Sequence, residues 1–313
     1  MKEAKDQELL DVDNKGKAIQ KIDEKKPAKN EESYTHILII FLALVLLGLF
    51  LKIFIFNKSF EKNKIFRKFY TKDDFNRNVG DMVLNYIKQN PKCNFGLSSG
   101  STPKGIYNYL IDAYQKGQVS FKNVKFFSID GYCGLKKTDK KSYYYDFKTT
   151  FLDKIDAKEE NIHLLKEEGN SVEDFENNAK EYNELLKKNP IDIQLLSFGD
   201  NGHIGFNEPR TDFNLETHIV KLTDEKREEK AKIFGGKKNV PEYAITQGVK
   251  NMLDAKLVIA IATGENKAKA VNKLVNGVYT LDYPITILRN HNGKVIVCTD
   301  NQAGQNINDY YKF

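Results

Sequence analysis

The stretch Gly199-Asp200-Asn201-Gly202-His203-Ile204-Gly205-Phe206-Asn207-Glu208-Pro209 is the densest set of groups able to do chemistry in this chain. An imidazole titrates near neutral pH, and a carboxylate, Glu208, stands five residues after His203. A histidine oriented by a carboxylate is a working general acid or base. The glycines let the backbone turn sharply or approach a ligand closely. A loop histidine can equally be solvated or structural, and the neighbouring Glu and glycines bring the two readings level. Asp130 closes the apolar run VKFFSI (124–129). At a strand's rim, partial burial can raise a carboxylate's pKa toward that of a usable base. Taken alone, the same residue reads as the start of an Asx turn.

Two further segments could hold an anion. Ser98-Ser99-Gly100-Ser101-Thr102 is a hydroxyl-rich turn that feeds a helix, where free N–H groups and the helix dipole favour phosphate. It reads equally well as an ordinary turn in which Thr102 caps the helix and Pro103 is its first residue. Thr263-Gly264-Glu265-Asn266-Lys267 places a lysine at the start of a helix, where the dipole disfavours it unless an anion is bound nearby.

All four segments follow the C-terminal ends of expected strands. Cys93–Leu97, Val124–Ile129, Ile191–Phe198, Leu257–Ala262 and Val295–Cys298 read as strands, the last of them closing the sheet. Between them the spacing predicts helices: one through Val79, Val83, Tyr86 and Ile87, one from Thr102 to Gly117, one opened by Ser171, and one through Lys267, Val271 and Leu274. Alternation of this kind implies an α/β fold with a doubly wound, mostly parallel open sheet of Rossmann-like type. Ligands of such sheets bind outside the carboxyl ends of the strands, so the four segments converge there.

The 313 residues carry 49 basic and 43 acidic side chains, a mixture that argues against a nucleic-acid partner. Cys93, Cys133 and Cys298 are too scattered for a disulfide framework or a zinc site. Residues 1–36 are rich in Lys, Asp and Glu and read as a disordered charged tail. Residues 37–56 (ILIIFLALVLLGLFLKIFIF) match the roughly 20 apolar residues of a transmembrane helix. Lys58, Lys62, Lys64, Arg67, Lys68 and Lys72 make residues 57–75 a basic juxtamembrane linker. That cluster favours a single-pass membrane protein whose body, residues 76–313, faces the cytoplasm.

The assembled motifs resemble the glucosamine-6-phosphate deaminase/isomerase family. The resemblance rests on FGLSSGSTPKGIY (95–107), QVSFKNVKFFSIDGYCGL (118–135), SYYY (142–145), NIHLL (161–165), FGDNGHIGFNEP (198–209), VPEYAITQGV (240–249) and ATGENKAKAV (262–271). It implies deamination and isomerisation of glucosamine 6-phosphate to fructose 6-phosphate and ammonia, with neither metal nor organic cofactor. By this resemblance His203 is the ring-opening acid/base, Asn201 and Glu208 orient it, and Asp130 takes the proton from the amine-bearing carbon. Ser99, Gly100, Ser101, Thr102, Lys232 and Lys267 are implied to bind the substrate's phosphate. Some family members are hexamers, so a homo-oligomer is a further expectation.

This chain departs from the family pattern at His218 and Val220, where allosterically activated members carry basic residues, in its transmembrane segment, and at two positions of the site. Gly131 stands where a Glu usually follows the catalytic Asp, and Lys232 stands where an arginine usually helps to grip phosphate. A lysine keeps the charge and loses the bidentate fork. Two other functions remain compatible with these residues. One is a sugar-phosphate lactonase that uses the His and the phosphate site without Asp130. The other is a membrane-anchored sugar-phosphate sensor with weakened catalysis.

Overall fold

Every side chain of Leu257–Ala262 is buried, the pattern of a strand covered on both faces. In the computed structural model this strand lies inside an eight-stranded sheet. The structure describes residues 36–50, 63–308 and 310–312, and the chain divides into two units, Met1–Phe56 and Asn57–Phe313. In chain order the strands are β1 (Lys64–Phe69), β2 (Asn94–Leu97), β3 (Lys125–Ser128), β4 (Asp130–Tyr132), β5 (Ile162–His163), β6 (Ile193–Ser197), β7 (His218–Lys221), β8 (Tyr243–Thr246), β9 (Leu257–Ala262), β10 (Lys294–Asp300) and β11 (Tyr310–Lys312). The helices are α1 (36–50), α2 (Lys72–Gln89), α3 (Lys104–Gln115), α4 (Tyr143–Thr150), α5 (Val172–Lys188), α6 (Asp224–Phe234), α7 (Val249–Leu253) and α8 (Ala268–Asn276).

The large sheet runs β5-β3-β2-β6-β9-β10-β1-β11, parallel throughout except for β11. From β2 the chain winds outward through β3 and β5, then returns to β6 and winds the other way through β9 and β10. The direction of winding therefore reverses between β2 and β6, the position at which open α/β sheets build their ligand crevice. Successive residues of each strand feed opposite cores. Leu195 and Ile259 pack with Phe75 and Val79 of α2, whereas Leu196 and Val258 pack with Tyr182 and Leu186 of α5.

Helix starts follow their local chemistry. Thr71 caps α2 by accepting the Asp74 N–H, and Phe75, Val79, Val83 and Ile87 form its buried stripe. Ser171 and Asp174 close a capping box on α5. At α3 the expectation fails: the helix begins at Lys104, Pro103 is the cap residue, and no side chain caps it. The Thr102 hydroxyl meets that of Thr263 instead, at 3.4 Å.

A second sheet was not expected. The strands β4, β8 and β7 pair antiparallel, with Asp130 opposite Thr246 and His218 opposite the same threonine. Tyr132, Phe206, Phe234 and Ala244 form a small core of their own beneath it. Nor does the sheet close at β10, since β11 follows.

The N-terminal expectations need correction. Residues 57–75 are not a linker throughout: 64–69 form β1, paired with β10 and β11, and α2 begins at Lys72 rather than after residue 76. Lys64 is only 2% exposed and donates to the His291 carbonyl at 3.2 Å, so it belongs to the folded body and marks no membrane face. The charged tail expected over 1–36 lies outside the described residues except for His36, the first described residue of α1, and residues 51–62 also lie outside them. Among the described residues no helix is long and apolar enough to cross a membrane. These findings overturn the expected single-pass membrane location and the orientation inferred from it.

Candidate active site

The reversal point between β2 and β6 is closed by paired hydroxyls. Ser98, just past β2, shares a 2.7 Å hydrogen bond with Ser197 at the end of β6, and its Oγ accepts the Ser197 N–H. The Tyr107 hydroxyl of α3 donates to the Ser98 carbonyl and accepts the Ser98 N–H, at 2.8 and 2.9 Å. These bonds fix the root of the Ser99–Thr102 turn. Gly100 sits there at φ 94°, a left-handed conformation that suits glycine. None of the backbone N–H groups of Ser99, Gly100, Ser101 and Thr102 has a hydrogen-bond partner among the described residues. The turn thus presents free donors ahead of α3, as an anion site requires.

Asp130 opens β4 and is 6% exposed. Its Oδ1 has no hydrogen-bond partner among the described residues. Burial pushes its carboxyl up to about 7, and the Ser99 hydroxyl, within hydrogen-bonding reach, offsets this only in part. The phenol of Tyr143 is held well above its usual range by burial first and then by the charge of Asp130.

His203 stands in a loop folded back on itself. Gly199 N–H donates to the His203 carbonyl at 2.8 Å, and Gly202 turns at φ 80°. The side chains fix the tautomer of the ring. Glu208 accepts from Asn201 Nδ2 at 2.9 Å, so Asn201 Oδ1 faces the imidazole, 2.7 Å from Nδ1. That oxygen can only accept, so Nδ1 carries the proton and Nε2 offers a lone pair. Burial is the largest cause that lowers the His203 pKa, to about 4; Glu208 pulls upward, while Lys226 and Lys267 push downward. The ring is neutral near pH 7. Burial alone would raise Glu208, but His203, Lys226 and Asn201 hold its carboxyl below the usual range.

The segments meet through short contacts. Phe206 N–H donates to Thr246 Oγ1 on β8 at 3.2 Å. A Cβ on Gly205 would lie 3.7 Å from the Cβ of Asp130, so the His203 loop rests against the start of β4. Ser99 reaches Asp130, Thr102 reaches Thr263, and the charge of Lys267 acts on His203. Asp130, Asn201, His203, Glu208, the Ser99–Thr102 turn and Lys267 are therefore gathered at the carboxyl ends of the strands. Lys232 is not brought in: it stands exposed in the last turn of α6.

Sequence reasoning missed Lys226. Its Nζ lies 2.8 Å from Glu208 Oε1, with 18% of its side chain exposed. Within DEKREEKAKIF (224–234) it looks like one more charge on a solvated helix, and only its position three residues after the cap Thr223 hinted at an inward turn. Lys226 and Lys230 both act electrostatically on Lys267.

Known proteins match this chain over most of its length. The family model described as glucosamine-6-phosphate isomerases/6-phosphogluconolactonase matches residues 71–297. A glucosamine-6-phosphate deaminase from Staphylococcus epidermidis is 41% identical over 227 residues, covering 71% of this chain and 90% of that protein. Another from Oceanobacillus iheyensis is 40% identical over 232 residues, covering 74% and 91%. Among solved structures, a monomeric glucosamine-6-phosphate deaminase matches with TM-score 0.72 at 32% identity, covering 77% of this chain and 98% of that one. A 6-phosphogluconolactonase from Trypanosoma brucei matches with TM-score 0.65 at 17% identity, covering 78% and 98%, and shares the fold alone.

Proposed function

Since the chain belongs to the glucosamine-6-phosphate isomerase/6-phosphogluconolactonase family, we propose that it deaminates and isomerises glucosamine 6-phosphate to fructose 6-phosphate and ammonia. The observation that carries this reading is the pairing of two separate proton-transfer groups at one sheet edge. Asp130 is a buried carboxyl poised at about 7, and His203 is a neutral imidazole with Nε2 free.

In the proposed sequence, Nε2 of His203 takes the proton of the anomeric hydroxyl and returns it to the ring oxygen, which opens the sugar. Asn201 and Glu208 hold the ring in this tautomer. Asp130, ionised, takes the proton from the amine-bearing carbon and leaves an enolamine. Return of a proton to the neighbouring carbon gives a ketimine, and water releases ammonia from it. The Ser99–Thr102 turn and Lys267 hold the phosphate, and this remote binding aims the reacting carbons at Asp130. Each positioned acid or base contributes about 10²–10⁴ in rate.

Lactone hydrolysis needs no base at the amine-bearing carbon, so Asp130 separates the two activities. Ammonia release from glucosamine 6-phosphate is expected from the full chain and is expected to be lost in Asp130→Asn. A wild-type rate no greater than that of the variant, or a variant still fully active on a sugar-phosphate lactone, would overturn the reading.

A further inference from the structure

Glu167 is 4% exposed, and its carboxyl group is not among the groups used above. It lies between β5 and α5, and its two oxygens point to two different elements. Oε2 accepts the Tyr132 N–H of β4 at 3.2 Å, and Oε1 accepts the Tyr144 N–H in the first turn of α4 at 2.8 Å. Its own carbonyl accepts the Gly134 N–H at 2.7 Å. One residue therefore ties the strand that begins with Asp130 to the helix that begins with Tyr143.

The space for this clamp comes from Gly131. A Cβ at position 131 would lie 2.6 Å from Glu167 Cγ and 2.8 Å from Cδ. The backbone of Gly131 is not among the left-handed glycines, so position 131 excludes volume rather than imposing an unusual conformation. Glu167 occupies the room directly beside the residue that follows Asp130.

The geometry points to Glu167 as a positioning residue for Asp130, acting through β4, with Gly131 as the partner that makes room for it. The inference rests on Asp130 being the carbon base. Glu167 touches neither substrate nor reacting atoms; it fixes where the β4 peptide, and with it the Asp130 carboxyl, sits relative to Ser99 and Tyr143. Its own carboxyl is pushed up to about 8, by burial first, with the charge of Asp130 adding to it and the N–H bonds from Tyr144 and Tyr132 opposing it. The charged or titratable groups that interact with it are Asp130, the Tyr132 phenol and the Cys133 thiol.

The test uses the full chain with Glu167→Gln, which keeps the side-chain size, with Glu167→Ala, with Gly131→Ala, and with Gly131→Ala and Glu167→Ala combined. Glu167→Gln is expected to lower kcat for ammonia release about tenfold with KM within about threefold, the pattern of a misplaced group rather than lost binding. It is also expected to move the carboxyl titration of Asp130, read by carbon-13 NMR, by about half a unit or more. Gly131→Ala is expected to act in the same direction in the wild-type background and to add nothing once Glu167 is Ala. An unmoved Asp130 titration, or additive effects in the double variant, would overturn the inference even if the chain released no ammonia. An inactive wild type with a shifted Asp130 titration would instead sink the deaminase reading and leave the clamp standing.

Discussion

The imidazole of His203 packs flat against Gly199. A Cβ at 199 would lie 2.7 Å from Nε2 and collide outright with Nδ1 and Cε1. Gly199→Ala is therefore expected to turn the ring away from Asn201 while leaving the sheet intact. Ammonia release should fall by about 10² or more, the share of a positioned acid/base group, with the far-ultraviolet dichroism unchanged. Retention of most of the activity would show that the ring orientation is not needed.

Burial of Asp130 has opposite effects on rate and on stability. Its folded pKa of about 7 exceeds the ordinary 3.8, so the folded state binds this proton more tightly than the unfolded chain does. The contribution to stability is complete below the unfolded value and is lost as pH rises through about 7. Activity runs the other way, rising about tenfold per pH unit below that midpoint and levelling off above it. Asp130→Asn should thus raise the Tm by about 5 °C or more at alkaline pH and by little at acid pH. Equal Tm gains at both extremes would contradict the assignment.

Lys226 holds one oxygen of Glu208 while Asn201 holds the other. Lys226→Met should release that carboxylate, raise its pKa and loosen the Asn201–His203 pair. We expect kcat to drop about tenfold, with partial recovery in Lys226→Arg, because the charge at Glu208 is what is lost. An unchanged kcat in the Met variant would reduce the ion pair to a surface contact.

The two lysines implied to bind phosphate should behave differently. Lys267 faces the site, and Lys267→Met is expected to raise KM for glucosamine 6-phosphate about 100-fold, the worth of one strong charge-assisted bond. Lys232 stands exposed, and Lys232→Met should change KM by no more than about threefold. Competitive inhibition by inorganic phosphate should weaken in parallel with the first variant only. The reverse ranking of the two lysines would mean that α6 rearranges when substrate binds.

Much of this architecture was legible because each signal was local. The unbroken apolar run of β9, the Val79–Ile87 face of α2 and the Ser171 cap of α5 are local signals of this kind. The Gly199–Glu208 loop stood out because glycine density and a histidine rarely coincide by chance. The second sheet did not stand out. Asp130–Tyr132 and Tyr243–Thr246 are three or four residues long and acquire their meaning only when paired. Strand β1 was hidden by its own charges: KIFRKF reads as a basic segment until Phe66 and Lys64 prove to be buried. The partners of Lys226 and Glu167 could not be read from spacing, since they lie 18 to 35 residues away in sequence. The apolar stretch 37–56 misled in the opposite direction: it reads as a membrane span, yet among the described residues no helix is long and apolar enough to cross one.

The pairing of β1 has a consequence for how the protein is made. Phe66 lies opposite Val297 on one side and Tyr311 on the other. The first strand of the sheet to leave the ribosome therefore waits for nearly the whole chain to follow before either neighbour exists. Until then it offers two open edges, the state in which strands pair with wrong partners. Yield in cells should accordingly depend on translation speed and chaperone supply more than on the strength of the finished core.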